Sequence, residues 1–258
     1  MRLMFICALL LLSACSKEKT AVVLDKQAPP VLEGPTDNLT IPNNSGSKHY
    51  RIALTGNSHI VGIGALIEKL VTQLAPNSSV ETRTIGAGFL DDSVKMSSSL
   101  EQGQWTHIIL QGQKYSQSRK TVYPTVAAEL WIANAKAVGT TPILFPEHPQ
   151  RGDITEAEYV HGLHLNIVQK QTSCIAPVGL VWNRVQTLMP HLTLHHSDGN
   201  HAADLGQYLT ALVFAEVITG VRVDSISFEP INNLSVDRQL LLAQAVSEVI
   251  YQHPACDY

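Results

Sequence analysis

From His49 onward, short runs of apolar residues alternate with longer segments in which apolar residues recur at helical spacing. The apolar runs predict strands at 51–55, 80–85, 107–111, 141–145 and 175–181. The other segments predict helices at 60–74, 126–138, 202–219 and 236–251. Strands that are separated by helices form βαβ units, in which the strands run parallel and helices cover both faces of the sheet. The sequence therefore predicts an α/β domain that binds its ligand beyond the carboxyl ends of the strands.

The composition limits the domain count and the class of partner. Of the 258 residues, 45% are hydrophobic and 16% are charged, which suffices for one large core but not for two. The net charge is −4, and Lys and Arg form no basic cluster in the sequence. We therefore expect no nucleic-acid partner. We also expect a monomer that needs no cofactor.

The N-terminal residues have the pattern of a secretory signal. Met1 and Arg2 supply a short positive region, and the apolar run at 3–12 is too short to span a bilayer as a helix. The run ends in Leu-Ser-Ala-Cys15, which resembles the lipobox of bacterial lipoproteins. This resemblance implies a signal peptide at 1–14, acylation of Cys15 and a lipid-anchored protein of the bacterial cell envelope. Ser16 favours the outer membrane. An ordinary secretory signal or an N-terminal membrane anchor is the alternative.

The segment at 15–48 reads as a lipidated cysteine followed by a disordered tether. It contains four prolines, ends in Asn-Asn-Ser-Gly-Ser at 43–47, and shows neither helical nor strand periodicity. Random-coil scaling gives such a tether a reach of about 30 Å. We therefore expect the folded domain to span 49–258.

Cys174 and Cys256 are the cysteines that remain once the signal peptide and Cys15 are set aside. In an exported protein, two such thiols either form one disulfide, which would pin the C-terminal tail to the core, or stay unpaired. The sequence does not give their separation, so both states remain open.

Polar residues follow the predicted strands at the edge where a ligand is expected. Ser58 follows the first strand within Gly-Asn-Ser-His at 56–59, between a strand and a helix. A hydroxyl placed there can act as a nucleophile, although a serine at such a junction is also a common helix N-cap. Gly88 follows the second strand, where it could bring a backbone N–H close to a reacting group, and Gln111 ends the third, where its amide could donate toward the same edge. A turn glycine and a loop amide without a function are the alternatives.

Asp198 and His201 supply the partners that a catalytic serine needs. A serine nucleophile requires a base that takes its proton and a carboxylate that orients the base. The two residues are three positions apart at the expected start of the helix at 202–219, which places both side chains on one face. Ser58, His201 and Asp198 together therefore predict a triad.

Taken in order, these segments resemble the motif blocks of the SGNH/GDSL hydrolase superfamily. The segment 56–59 stands where the family has Gly-Asp-Ser-Leu, Gly88 matches the glycine of the second block, and 198–201 matches Asp-x-x-His. The segments 206–211 and 218–220 resemble the closing helix, so that the resemblance covers about residues 50–220. It implies a three-layer α/β/α, flavodoxin-like fold with a five-stranded, mostly parallel sheet.

The resemblance also implies an activity and a role for each matched residue. The activity is that of a serine esterase or acyl hydrolase on carboxylic esters, including acyl groups on glycans or lipids. Ser58 would be the nucleophile, His201 the base and Asp198 its orienting carboxylate. The oxyanion hole would consist of the backbone N–H groups of Ser58 and Gly88 and the Gln111 amide. The chain departs from the family at the last position, because the third block usually contains Gly-x-Asn-Asp, and it also has the unusual His59 after the nucleophile.

Other readings of the polar residues remain open at this point. His195, His196, Asp198 and His201 could form a metal site, although no His-Glu-x-x-His motif accompanies them. The segment 158–164 reads as a solvated helix face, and Glu147 with His148 as an exposed loop that could instead shape the pocket. A lipoprotein that kept the fold but lost catalysis, and acts in binding or structure, is the alternative to an enzyme.

Overall fold

Five parallel strands form one sheet in the order β2-β1-β3-β4-β5. The computed structural model describes residues 32–230 and 234–258. The strands are β1 (His49–Gly56), β2 (Ser79–Ala87), β3 (His107–Gln111), β4 (Thr141–Phe145) and β5 (Cys174–Ile175). The helices are α1 (Ile63–Leu74), α2 (Leu90–Ser93), α3 (Leu100–Gly103), α4 (Val126–Ala137), α5 (Glu156–Lys170), α6 (Val178–Leu188), α7 (Asp204–Thr219) and α8 (Val236–Gln252). Short 3-10 helices occupy Ser58–Ile60, Val94–Ser99 and Val223–Ser225.

Alternate residues of the central strands face two separate hydrophobic clusters, one on each side of the sheet. Leu54 and Ile109 belong to the cluster formed with α1, α6, α7 and α8. Ala53 and Ile108 belong to the cluster formed with α2 and α4. This alternation follows from the two-residue repeat of a strand, and it confirms the predicted three-layer α/β/α fold with a five-stranded parallel sheet.

The prediction of a strand at 175–181 is wrong beyond Ile175. Pro177 has no N–H to donate to a neighbouring strand, and it forms the N-cap of α6 instead. Val178, Val181 and Val185 follow at helical spacing, and all three are buried. The strand therefore ends after two residues, and the apolar run continues as a helix.

The prediction of a solvated helix face at 158–164 is partly wrong. The segment lies within α5, where Glu158 is exposed. His161 and His164 are buried on the other side of the same helix. Burial lowers the pKa of both imidazoles to about 4, so they are neutral at pH 7.

The predicted tether extends too far toward the domain. Ile41 packs into the hydrophobic core, and the side-chain amide of Asn44 donates to the carbonyls of Thr106 and Gly139, each at 2.9 Å. Asn38 accepts a hydrogen bond from the backbone N–H of Thr172 at 3.0 Å. Because these contacts fix the segment along the amino ends of β3, β4 and β5, the folded unit begins well before residue 49. The signal peptide, Cys15 and the tether up to residue 31 lie outside the described residues.

The C-terminal tail is joined to the sheet covalently. Cys174 in β5 and Cys256 form a disulfide across 82 residues of sequence. The backbone N–H of Ile175 also donates to the carbonyl of Ala255 at 2.7 Å, so the tail pairs with the edge strand. Within 32–230 and 234–258, none of the helices has the length and hydropathy needed to cross a bilayer.

Candidate active site

Ser58, His201 and Asp198 form a continuous hydrogen-bonded chain at the carboxyl edge of the sheet. The Ser58 hydroxyl lies 2.7 Å from Nε2 of His201. Nδ1 of the same ring lies 2.6 Å from Oδ2 of Asp198. These distances allow His201 to accept the serine proton while Asp198 holds the ring in the required tautomer.

The fold places Ser58 by ending β1 in a tight turn. Ser58 is the first residue of the 3-10 helix, and Asn57 caps this helix by accepting a hydrogen bond from the N–H of His59 at 3.1 Å. Gly56 is required before it, because a Cβ at this position would lie 2.4 Å from Oε1 of Gln111. The turn therefore sets the nucleophile directly on the buried end of β3.

Asp198 and His201 lie in a loop before α7 rather than at the start of that helix, which begins at Asp204. Oδ1 of Asp198 accepts hydrogen bonds from the backbone N–H groups of Asn200 at 2.9 Å and His201 at 3.0 Å. Gly199 has a φ of 75°, which a residue with a side chain rarely adopts. One carboxylate thus orders the loop with one oxygen and orients the base with the other.

The electrostatics of the loop favour an ionised Asp198. The hydrogen bond from His201 lowers the pKa of this carboxyl well below its usual range, and the two backbone N–H donors lower it further. A carboxylate that stays ionised can stabilise the imidazolium that forms when His201 takes the serine proton.

The structure corrects two of the three predicted oxyanion donors. The N–H of Gly88 donates to the carbonyl of Gly56 at 3.0 Å, because pairing between β1 and β2 continues to the last residue of β2. The side chain of Gln111 is fully buried beneath the Gly56 turn, out of reach of a substrate. The backbone N–H of Ser58 stays a predicted donor, since the first N–H of a helix has no acceptor within the helix.

Gln111 instead connects the nucleophile turn to Glu147. Its Oε1 accepts a hydrogen bond from the backbone N–H of Asn57 at 2.7 Å. Its Nε2 donates to Oε2 of Glu147, also at 2.7 Å. The sequence placed Glu147 near this edge, two residues after the buried strand β4, but gave no sign of its contact with Gln111.

The loop after β4 is not exposed as predicted. Only 17% of the Glu147 side chain is accessible, and His148 is buried with its ring stacked on Trp182 at 3.8 Å between centroids. Burial lowers the pKa of His148 to about 3, so the ring is neutral at pH 7. Its Nε2 is 2.9 Å from the carbonyl of Asn200, which joins this loop to the triad loop.

His59 packs directly against the His201 ring. Its ring stacks on that of His201 with 5.2 Å between centroids and 21° between planes. Its Nε2 lies 3.8 Å from Oε2 of Glu147. Burial lowers the pKa of His59, partly offset by the nearby Glu147 carboxylate. His59 is therefore a packing partner of His201.

An open cleft of about 960 Å³ lies over Ser58 and His201. Its walls come mainly from the loop after β3, which sequence reasoning did not assign to the site. The lining residues are Asn57, Ser58, His59, Phe89, residues 113–118, Tyr123, Glu147, Asn200 and His201. Most of these side chains carry an amide, hydroxyl or charged group, so the cleft suits a polar ligand.

The alternative metal ligands do not converge. Nε2 of His195 is 2.8 Å from the carbonyl of Pro149, and the ring is buried against Trp182. Nδ1 of His196 lies 3.3 Å from the hydroxyl of Ser197, and His201 is engaged with Ser58 and Asp198. Within the part of the chain that the structure describes, no three His, Cys, Asp or Glu residues are grouped as metal ligands would be.

Comparisons with known proteins agree with this fold. No protein-family model and no curated protein matches the chain. A DUF4886 family protein from Bacteroides uniformis is 13% identical, with a TM-score of 0.59 over 81% of this chain and 97% of that one. TesA is 11% identical, with a TM-score of 0.50 over 67% of this chain and 99% of that one. A candidate SGNH hydrolase from Slackia heliotrinireducens is 19% identical, with a TM-score of 0.48 over 65% and 98%.

Proposed function

We propose that this chain is a serine hydrolase of the SGNH type that cleaves carboxylic esters. The observation that carries the proposal is the hydrogen-bonded chain from Ser58 through His201 to Asp198, with distances of 2.7 and 2.6 Å. Ser58 and His201 border an open cleft, so a substrate can reach the nucleophile. The solved structures with TM-scores of 0.59 and 0.50 support the fold, and the geometry of these residues supports the chemistry.

The mechanism follows from the placement of the three side chains. His201 takes the proton of Ser58 as the hydroxyl oxygen attacks the ester carbonyl, and Asp198 stabilises the imidazolium. The backbone N–H of Ser58 donates to the oxyanion, an interaction that is typically worth about 3 kcal/mol in the transition state. His201 then protonates the departing alcohol. Water activated by His201 hydrolyses the acyl-enzyme and releases the acid.

The lining of the cleft favours a substrate that is an ester of a polar alcohol, such as an acylated sugar, over an ester with a long alkyl chain. Lys114, Ser116 and Gln117 present polar groups along it, with Tyr123 and Phe89 as partly exposed aromatic rings. The cation of Lys114 is 2.6 Å from the carboxylate of Asp91, which reduces its attraction for an anionic substrate. A neutral, hydroxyl-rich alcohol fits such a surface better than an alkyl chain does.

Labelling with a fluorophosphonate probe tests the proposal. The wild-type protein should take up one probe molecule and hydrolyse a short acyl ester, and Ser58→Ala should do neither. Ser98→Ala, which changes an exposed serine elsewhere, serves as the matched control and should label like the wild type. A wild-type protein that neither labels nor hydrolyses any ester would favour the inactive binding protein. Activity that survives Ser58→Ala but not a chelator would favour a metal site.

We also propose that Cys15 carries the lipid that anchors the domain to the bacterial envelope, with the outer membrane favoured. The described segment before β1 enters the domain along the amino ends of the strands, whereas Ser58 lies at the carboxyl end of β1. Incorporation of labelled palmitate into the wild type but not into Cys15→Ser tests the anchor, and equal labelling of both would refute it.

A further inference from the structure

Glu147 lies next to Gln111, which binds the turn that carries Ser58, and next to His59, which packs on His201. It follows β4, and 17% of its side chain is accessible from the cleft. One carboxylate oxygen, Oε2, lies 2.7 Å from Nε2 of Gln111 and 3.8 Å from Nε2 of His59. Gln111 is hydrogen-bonded to the turn that carries Ser58, and the His59 ring stacks on that of His201.

The hydrogen bonds from Glu147 through Gln111 to Asn57 fix the orientation of the Gln111 amide. An amide side chain can present either its oxygen or its nitrogen to a neighbour, and the hydrogen-bond partners decide which. A carboxylate only accepts, so Glu147 selects the orientation in which Nε2 faces it. Oε1 must then face the N–H of Asn57, which it binds at 2.7 Å. Because the Gln111 side chain is fully buried, no water can replace this bond.

The contact between Glu147 and His201 runs through the packed ring of His59. The His59 ring lies between Glu147 and the His201 ring, with His148 against it edge-on at 5.1 Å. These contacts leave His59 little freedom to rotate. A displacement of Glu147 would therefore shift the His59 ring, against which His201 packs.

We infer that Glu147 is a positioning residue of the triad, whose carboxylate orients Gln111 and thereby fixes the backbone turn that carries Ser58. This inference rests on the proposed ester hydrolysis. It assigns to Gln111 a task different from that of the family asparagine whose place it takes. It also explains why the longer amide is accommodated here, since the extra methylene places the amide between the turn and Glu147.

A double-mutant cycle on Glu147 and Gln111 tests the inference through kcat and KM for a short acyl ester. Glu147→Ala should lower kcat by about 100-fold, the cost typical of a misplaced reacting group, with KM changed by less than about twofold. Glu147→Gln can still accept from Gln111 and should recover about tenfold of that loss. Gln111→Met keeps the volume but removes the amide, and should reduce kcat to a similar extent. Adding either Glu147 change to Gln111→Met should cost nothing further.

Melting curves and a control separate positioning from general damage. Glu216→Gln changes another buried glutamate, located toward the far end of α7 from the triad, and should leave kcat unchanged. If Glu147→Ala fails to fold, the cycle with Glu147→Gln decides. Losses that multiply in the double variant, or a rise in KM at constant kcat, would overturn the inference while the hydrolase proposal stands. A wild-type protein without Ser58-dependent activity would overturn both.

Discussion

His201 is held at both of its ring nitrogens, and the 2.6 Å contact between its Nδ1 and Oδ2 of Asp198 is the shorter of the two. The same carboxylate binds the backbone N–H of His201 through its other oxygen. Asp198 therefore fixes the tautomer and the position of the base together. This double attachment makes Asp198 the triad residue whose loss has the most readily interpreted consequences.

Asp198→Asn should lower kcat by about 10⁴-fold with little change in KM. An amide at this position can donate to Nδ1 of the ring, which turns the imidazole to the tautomer that cannot accept the serine proton. Steady-state kinetics on a soluble ester measure the effect. Asp204→Asn, an exposed change at the start of α7, is the control and should stay within a few-fold of the wild type. An Asp198→Asn variant with more than about a tenth of wild-type kcat would contradict this account.

The stability of the fold should fall as the pH drops below about 6.5. Burial lowers the pKa of His107 and His148 to about 3, and that of His161 and His164 to about 4, whereas unfolded histidines titrate near 6.5. Between these values the unfolded chain binds protons that the folded chain does not, so acid favours unfolding. Each such histidine contributes a slope of up to about 1.4 kcal/mol per pH unit.

The variant His164→Leu checks this linkage at a site remote from the cleft. Replacing the buried imidazole with an apolar side chain removes one of the protons that the unfolded chain binds and the folded chain does not. Urea unfolding between pH 7 and 5 should then show a shallower decline in the free energy of unfolding than in the wild type. Identical slopes in the two proteins would show that His164 does not titrate as its burial requires.

Gly56→Ala should destabilise the protein and reduce its activity. The new Cβ would lie 2.4 Å from Oε1 and 2.9 Å from Cβ of Gln111, a side chain without room to move. Overpacking of this kind costs about 1–3 kcal/mol, and it displaces the turn that carries Ser58. Thermal melting and kcat measure the two effects. Gly162→Ala is the matched control, because nothing lies within 4 Å of its Cβ and an alanine within α5 should stabilise the helix by about 0.5–1 kcal/mol.

Removal of the disulfide should affect stability but not catalysis. Cys174 and Cys256 close a loop of 82 residues, and the loss of such a bridge typically costs about 2–5 kcal/mol. The bridge lies at β5, three strands away from β1 in the sheet, so the triad should keep its geometry. The double variant Cys174→Ala/Cys256→Ala should therefore unfold at lower urea concentration with kcat unchanged. A matching loss of kcat in the folded variant would argue against this separation.

The sequence was sufficient for the central strands, and it named three residues that the structure brings within hydrogen-bond distance of one another. Strands β3 and β4 have the bounds that their apolar runs predict, because every residue in them is buried. Ser58, Asp198 and His201 were identified from their positions relative to strands and from the motif order. Where a run of apolar residues contained Pro177, hydropathy alone did not separate the end of a strand from the start of a helix.

The environment of the triad could not be predicted in the same way. Whether Gly88 has a free N–H depends on how far β1 and β2 pair, which the sequence does not specify. The contact between Gln111 and Glu147 joins residues 36 positions apart, and it exists because β3 and β4 are neighbours with a fixed register. Local sequence patterns specify neither relationship, so the sequence identified the reacting residues but not the contacts of Gln111 and Glu147 that hold them.

Trapping of the acyl-enzyme is the most direct test of the proposed hydrolase. The protein would be quenched in acid during turnover of a p-nitrophenyl acyl ester, digested, and its peptides analysed by mass spectrometry. We expect an acyl group on Ser58 in the wild type and none at that position in Ser58→Ala, which should also lack turnover. Turnover that continues at the wild-type rate in Ser58→Ala, or an acyl group found on another residue, would contradict the proposal.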